Sequence, residues 1–290
     1  MSVWDDLVGQ EPAVAVLRKA VGGAAAVLRG ETGAAVAGMT HAWLITGPPG
    51  SGRSNAGRAF AAALQCANEG CGECSECRTA LTGAHPDVSL IRTELLSIRV
   101  SEVRELVRRA AMSPTQGRWQ VMVVEDADRL TEQAADALLK SIEEPAPRTV
   151  WVLCAPTVED VVPTIRSRCR LLVLRTPPVA AIAEMLSAKV GVDADLAWFA
   201  ARAAQGHIGR ARALARDEST RNRRREVVSY PAKLTTLGAC MTAASNLTEV
   251  TKEEADQVTG ELDAREKADL DAAYGVVERG RRPREYAPAL

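Results

Sequence analysis

The amino-acid sequence predicts an α/β protein: a doubly wound parallel sheet with helices on both faces, followed by an all-helical region. Three observations carry this. A short apolar strand at residues 43–46 runs directly into Gly47-Pro48-Pro49-Gly50-Ser51-Gly52-Arg53-Ser54 and then into an Ala-rich helix. Further apolar runs at 88–91, 120–124, 149–153 and 170–174 alternate with helical periodicity, as strands buried on both faces of a parallel sheet do. Beyond Pro177-Pro178 the strand pattern stops and every periodic segment is helical.

Composition bounds the rest. A chain of 290 residues with 47% hydrophobic content and a mean hydropathy of −0.08 can bury a sizeable core and has room for two or three domains. The net charge of −1 excludes a global basic field, so contact with nucleic acid must come from a local patch or a larger assembly. Met1-Ser2-Val3-Trp4-Asp5-Asp6 has no basic stretch before an apolar run, and no run is long enough to span a bilayer, so a cytoplasmic protein without membrane contact is expected. Four of the seven cysteines crowd into residues 66–77; Cys154, Cys169 and Cys240 are expected to be scattered, buried thiols.

The first helix is marked by Val14, Val16, Leu17 and Ala20, and a Gly/Ala-rich loop follows at 30–38. The bland reading of this segment is a cap on the core; the sharper one is a wrap around a nucleotide base. Next comes the strand–glycine–helix unit. A phosphate-binding loop needs Gly47, Gly50 and Gly52 so that the backbone can aim several N–H groups at phosphate oxygens, with the following helix presenting its positive end. Pro48 and Ser51 lie within the loop, and Ser54 would offer a hydroxyl to Mg²⁺. The basic position holds Arg53 where the pattern asks for Lys, and a broad guanidinium is a poor stand-in for a point charge between β- and γ-phosphates. A Gly-rich turn that binds nothing is the alternative.

The helix after Ser54 ends at Cys66, and Cys71, Cys74 and Cys77 follow at once. Four thiolates at this spacing suit a tetrahedral, closed, structural Zn²⁺ site. An iron–sulfur cluster is the main rival, although its last cysteine ordinarily comes from far downstream; a disulfide pair ranks lower in a reducing compartment.

A helix near 100–111 carries Val103, Leu106, Val107 and Ala110 at helical spacing. The buried strand at 120–124 ends in Glu125-Asp126. A nucleoside triphosphatase places an Asp here for Mg²⁺ and then a Glu to polarise water. In this chain the order is reversed, so each carboxylate is a methylene out of position, which catalysis punishes. Solvated acids at a strand end are the alternative. Thr131 is a good N-cap for the helix over 132–143, which Pro145 stops. The segment 163–169 leads to the last strand, and helices are predicted over 179–189, 194–205 and 209–214.

Together the residues 41–54, the cysteine knuckle, His85-Pro86-Asp87, the run Ala137-Leu138-Leu139-Lys140-Ser141-Ile142-Glu143-Glu144-Pro145, and Pro163-Thr164-Ile165-Arg166-Ser167-Arg168-Cys169 resemble the clamp-loader ATPase subunits of bacterial DNA polymerase III, an AAA+ clade. The resemblance covers roughly residues 4 to 215. It implies an AAA+ core over 1–176 with its zinc knuckle at 66–77, a helical lid over 177–216, and a helical collar segment over 217–290 that is short for a full bundle. The tail from Arg279 reads as polar and charged. Two kinds of subunit share these motifs, the hydrolytic gamma/tau motor and delta-prime, which generally does not hydrolyse ATP. Arg53, Glu125 and Asp126 depart from the hydrolytic pattern, so the chain resembles delta-prime more closely.

That resemblance makes Arg168 an arginine finger acting in trans on a neighbour's ATP, and Arg210 the lid's nucleotide sensor, with Arg212 competing for that register. Thr157 is a weak candidate for the first sensor. It also implies a hetero-pentamer with gamma/tau and delta, a sliding clamp and primed DNA as partners, a structural zinc, and weak binding of ATP or ADP with Mg²⁺. An arginine projected from a subunit edge would lie exposed until its partner docks, although Arg166, Arg168 and Arg170 also read as a solvated basic helix end. The alternatives are an active gamma/tau-like motor, and a zinc-knuckle nucleic-acid binder with a vestigial P-loop. The run Arg221–Arg225 reads as a solvated helix face before it reads as a DNA contact.

Overall fold

A computed structural model describes residues 2–93 and 95–274, in two compact units that divide after Asp217. The tail from Arg279 lies outside the described residues.

In the first unit, α1 (Glu11–Leu28) is followed by β1 (Ala42–Thr46), α2 (Arg53–Gln65), α3 (Ser75–Thr82), β2 (Val88–Ile91), α4 (Val100–Ala110), β3 (Gln120–Val124), α5 (Glu132–Glu143), β4 (Thr149–Ala155), the single turn α6 (Pro163–Arg166) and β5 (Arg170–Val173). The five strands form one parallel sheet in the order β2-β3-β4-β1-β5. Alternate residues go to opposite faces, and in β1, β3 and β4 both faces are covered, which is why these strands read as continuous apolar runs. The run at 170–174 departs from that expectation: β5 is an edge strand, and Leu171 and Val173 are exposed. Trp43, Ile45, Val121, Val123, Val150 and Val152 meet α1, α2 and α3 on one side. Leu44, Met122, Val124, Trp151 and Leu153 meet α4, α5 and α6 on the other.

Strand β4 runs two residues beyond the apolar stretch read from the sequence, because Cys154 and Ala155 pair with Ile45 and Thr46 and are fully buried. Thr131 caps α5 as expected, its side chain accepting from the Ala134 N–H. Burial pushes the Cys154 thiol up to about 12. The expectation for the other scattered thiols fails in part: Cys240 is exposed and Cys169 only half-buried. Neither sits on a buried strand, and a short apolar side chain on a helix or turn carries no burial of its own.

Helices α7 (Val179–Val190), α8 (Ala194–Ala204) and α9 (Ile208–Arg216) close the first unit around a small core of their own, with Ile182, Leu186, Ala200, Ala201 and Leu214 at its centre. Asp193 caps α8, and the His207 ring caps α9 by accepting from the Arg210 N–H at 3.2 Å. The second unit contains α10 (Glu218–Lys233), which holds Pro231, and α11 (Leu237–Tyr274). Among the described residues no helix is long and apolar enough to cross a membrane.

Candidate functional site

The glycine loop lies at the carboxyl end of β1, where an open α/β sheet forms its ligand crevice. Gly50 and Gly52 have φ of +81° and +96°, a left-handed backbone that side chains resist, so the turn depends on glycine at both. Part of the loop is engaged by the chain itself, mostly through its carbonyls. The Ser51 N–H donates to the Pro48 carbonyl at 3.1 Å, and the Gly47 N–H to the Pro156 carbonyl at 3.1 Å. Arg53 folds back and donates to the Gly47 carbonyl. From outside the loop, the Gln10 side chain donates to the Ser51 carbonyl at 3.4 Å and to the Arg175 carbonyl at 2.6 Å, and accepts from the Arg175 N–H at 3.1 Å.

The lid also touches the loop. The Ile208 N–H donates to the Gly50 carbonyl at 3.3 Å, and His207 packs so closely on Gly50 that a Cβ there would collide with its ring and backbone. Arg210, one turn into α9, is exposed, while Arg212 pairs with Asp6 at 3.0 Å. Thr157 is exposed in the turn after β4, its N–H held by Asp160 at 2.9 Å.

Glu125 is 5% exposed and pairs with Arg58 of α2 at 2.5 Å, so it is neither solvated nor free to face a metal. A buried carboxylate needs such a partner; breaking a pair of this kind costs about 3–5 kcal/mol. Asp126 turns aside and accepts from the Thr93 N–H at 3.4 Å. The structure thus gathers the glycine loop, Arg53, Glu125 and the start of α9 at one end of the sheet, with Arg53 turned onto the loop and Glu125 paired with Arg58. The Ser51 hydroxyl is buried there with no hydrogen-bond partner.

Arg168 lies elsewhere. It precedes Arg170, which pairs with Trp43 near the start of β1, about 13 Å of strand before Gly47, so it stands toward the opposite end of the sheet from its own chain's loop. The side chain is exposed, as expected, and at the surface it pairs with Glu143 at 2.5 Å and donates to the Thr164 carbonyl and Ser167 Oγ. The physical reason for the pair is proximity: α6 brings the arginine to the end of α5, where Glu143 stands.

The four knuckle sulfurs converge. Sγ of Cys66, Cys71, Cys74 and Cys77 all lie within 4.8 Å of one another, and Cys66 is 3.7 Å from Cys71 and 3.8 Å from Cys74. A tetrahedron with metal–sulfur bonds of about 2.3 Å has edges of about 3.8 Å, so the donor set fits one metal ion. Backbone N–H groups of Glu73 and Cys74 pull the Cys71 thiol down to about 6, whereas burial pushes Cys74 and Cys77 up. A central cation would offset the charge that burial disfavours.

A polar frame fixes the knuckle to the sheet. Arg118 donates to the Cys66 carbonyl at 2.8 Å, and Gln65 Oε1 accepts from the N–H groups of Arg118 and Trp119. Buried His85 accepts the Asp87 N–H on Nδ1, so its Nε2 carries the proton donated to Glu76 at 2.7 Å. Asp87 accepts from Thr115, Gln116 and Gly117; burial alone would raise its pKa, but these bonds together hold it below the usual carboxylate range. The sequence marked His85 and Asp87 only as part of a motif. It gave no sign of Gln10, Arg58 or His207, whose partners lie 41 to 165 residues away or across the lid.

These features define an AAA+ type of P-loop fold, and comparison with known proteins agrees. The chain overlays on the RuvB T158V protein of Thermotoga maritima with a TM-score of 0.52 at 18% identity, covering 84% of this chain and 71% of that one, a likeness of fold alone. The family described as DNA polymerase III, delta subunit, matches residues 30–178, just over half of the chain. The chain belongs to that family. It is 37% identical over 153 residues to the DNA polymerase III subunit delta' of Pseudomonas aeruginosa, covering 51% of this chain and 47% of that protein. It is also 32% identical over 154 residues to the gamma/tau subunit of Mycobacterium tuberculosis strain H37Rv, covering 51% of this chain and 27% of that one. The chain therefore spans about half the length of the delta' relative and about a quarter of the gamma/tau relative.

Proposed function

We propose that this chain is a delta-prime type clamp-loader subunit, a mostly static member of a hetero-pentamer with gamma/tau and delta that places a sliding clamp on primed DNA in the cytoplasm. In this reading residues 1–176 form the AAA+ core, 177–216 the lid and 217–290 a collar segment. The knuckle binds one structural Zn²⁺ through Cys66, Cys71, Cys74 and Cys77. The site at Gly47, Pro48, Gly50, Ser51, Gly52, Arg53 and Ser54, with Glu125, Asp126 and Arg210 around it, takes ATP or ADP weakly or not at all.

The observation that carries the reading is the self-engaged glycine loop: Arg53 on Gly47, His207 on Gly50, and Glu125 taken by Arg58. A motor subunit needs these groups turned toward phosphates and metal. The distance of Arg168 from that loop supports a role toward a neighbour's ATP rather than its own. There the guanidinium would meet charge developing on the γ-phosphate, a contribution worth about 10³ to 10⁵ in rate at the site it serves.

The test is reconstitution with motor and delta subunits, sized and assayed for clamp- and DNA-stimulated ATP turnover. The expected result is an assembled complex, near-background turnover by this chain alone, and a marked loss of complex turnover on Arg168→Ala with assembly retained. Robust hydrolysis by the isolated chain that disappears on Asp126→Ala would establish the motor instead.

A further inference from the structure

The Arg168 guanidinium is already oriented within this chain. Nη1 donates to the Thr164 carbonyl at 2.8 Å and to Ser167 Oγ at 3.1 Å, and Nη2 stands 2.5 Å from Glu143 Oε1 as an ion pair. The two partner side chains are 39% and 44% exposed, so the pair sits at the surface where another molecule can reach it.

Glu143 does not occupy its place by local preference. It is the last residue of α5, where the helix dipole disfavours a carboxylate, and Pro145 prevents the helix from carrying it further. Leu138 and Ile142 of the same helix are fixed in the core beneath the sheet, and Ile165 of α6 enters that same core. Two sequence runs that are separate along the chain, 137–145 and 163–169, therefore meet at one ion pair.

Taking Arg168 as a trans-acting finger, as above, we propose that Glu143 is its positioning residue: the carboxylate holds the long side chain in one rotamer at the surface, so that the guanidinium is already ordered when a neighbour's phosphate docks. An arginine loses much rotamer freedom when it is ordered, and here that loss is taken before the neighbour arrives.

The experiment uses the reconstituted complex with ATP as the probe. Glu143→Ala should lower kcat about three- to fivefold, the scale of an exposed ion pair, while KM for ATP is unchanged, because the nucleotide is bound by the neighbour. Glu143→Gln, which keeps the acceptor oxygen, should recover part of the loss. In an Arg168→Ala background, Glu143→Ala should change nothing further. An equal loss in both backgrounds, a raised KM, or increased turnover would overturn the assignment. If Arg168→Ala lowers turnover and Glu143→Ala does not, this inference alone fails; if Arg168→Ala is itself silent, the trans-acting reading fails with it.

Discussion

The two ends of α2 carry loops built from similar material and put to opposite use. Each turns on glycines with positive φ, Gly50 and Gly52 at the N-terminal end, Gly70 and Gly72 near the C-terminal end. In the knuckle the groups that could bind something all point at one centre, and the polar frame of Gln65, His85, Asp87 and Arg118 lies behind them. In the glycine loop, side chains from elsewhere close in: Gln10 donates to the Ser51 carbonyl on one side, and His207 packs on Gly50 on the other. A glycine turn creates a possible cradle. Whether the cradle stays open is decided by side chains that arrive from distant parts of the sequence.

The strongest way to test this contrast is to remove the metal. Without a central cation, four sulfurs crowded at about one tetrahedral edge repel once ionised, and Cys66 and Cys77 are buried beside the core that α2 and α3 share. Structural zinc sites contribute several kcal/mol or more to folding. At roughly 2–4 °C per kcal/mol for a domain of this size, a chelator or Cys77→Ser should lower Tm by about 10 °C or more. Elemental analysis should find one metal per chain, and zinc is expected. A melt that is the same with and without chelator would remove the knuckle from the list of open sites and the contrast with it.

What could be read from the sequence divides along the same line. Strands β1, β3 and β4 were legible because burial on both faces leaves an unbroken apolar run, and the α5 boundaries because Thr131 and Pro145 act within a few residues. The knuckle was legible because its ligands span twelve positions and one ligand type. The state of the glycine loop was not, since it is set by Gln10, by Arg58 on Glu125 and by His207 beyond the last strand. Nor was the Arg168–Glu143 pair, whose members lie in two motifs that say nothing separately about meeting. The buried-thiol expectation failed at Cys240 because a lone cysteine on a helix has no pattern to place it.

A smaller effect is expected on the other side of the comparison. Gln10 is 2% exposed and satisfies three backbone groups that otherwise face the interior: the Ser51 and Arg175 carbonyls and the Arg175 N–H. Gln10→Ala should cost about 2–3 kcal/mol, because buried polar groups left without partners each carry a penalty of roughly 1–3 kcal/mol and water can reach some of them. Urea unfolding should show the midpoint shifted with its slope unchanged. A change below about 0.5 kcal/mol would mean that the loop is not pinned by this residue.

The smallest effect belongs to Asp6, which ties the N-terminal segment to the lid through Lys189 at 2.9 Å and Arg212 at 3.0 Å. Partial burial would raise its pKa, but the two cations outweigh this and hold the carboxyl below its ordinary value. A carboxylate with a depressed folded pKa contributes stability that is fully present above the unfolded value of about 3.8 and is lost as pH falls through the folded one. The pair is largely exposed and screened by salt, so Asp6→Asn should cost less than about 1 kcal/mol at neutral pH, and less again in high salt. Acid also protonates the knuckle thiolates and releases metal, at higher pH than carboxylates titrate. That response is common to wild type and variant, so the difference between their stability–pH curves isolates Asp6. The difference should be constant from neutral pH down to about pH 5, shrink as pH falls below about 3.8, and disappear only below the folded pKa. A difference that does not shrink below pH 3.8 would mean that Asp6 acts through packing or hydrogen bonding of its neutral form, and that its charge does not hold the lid.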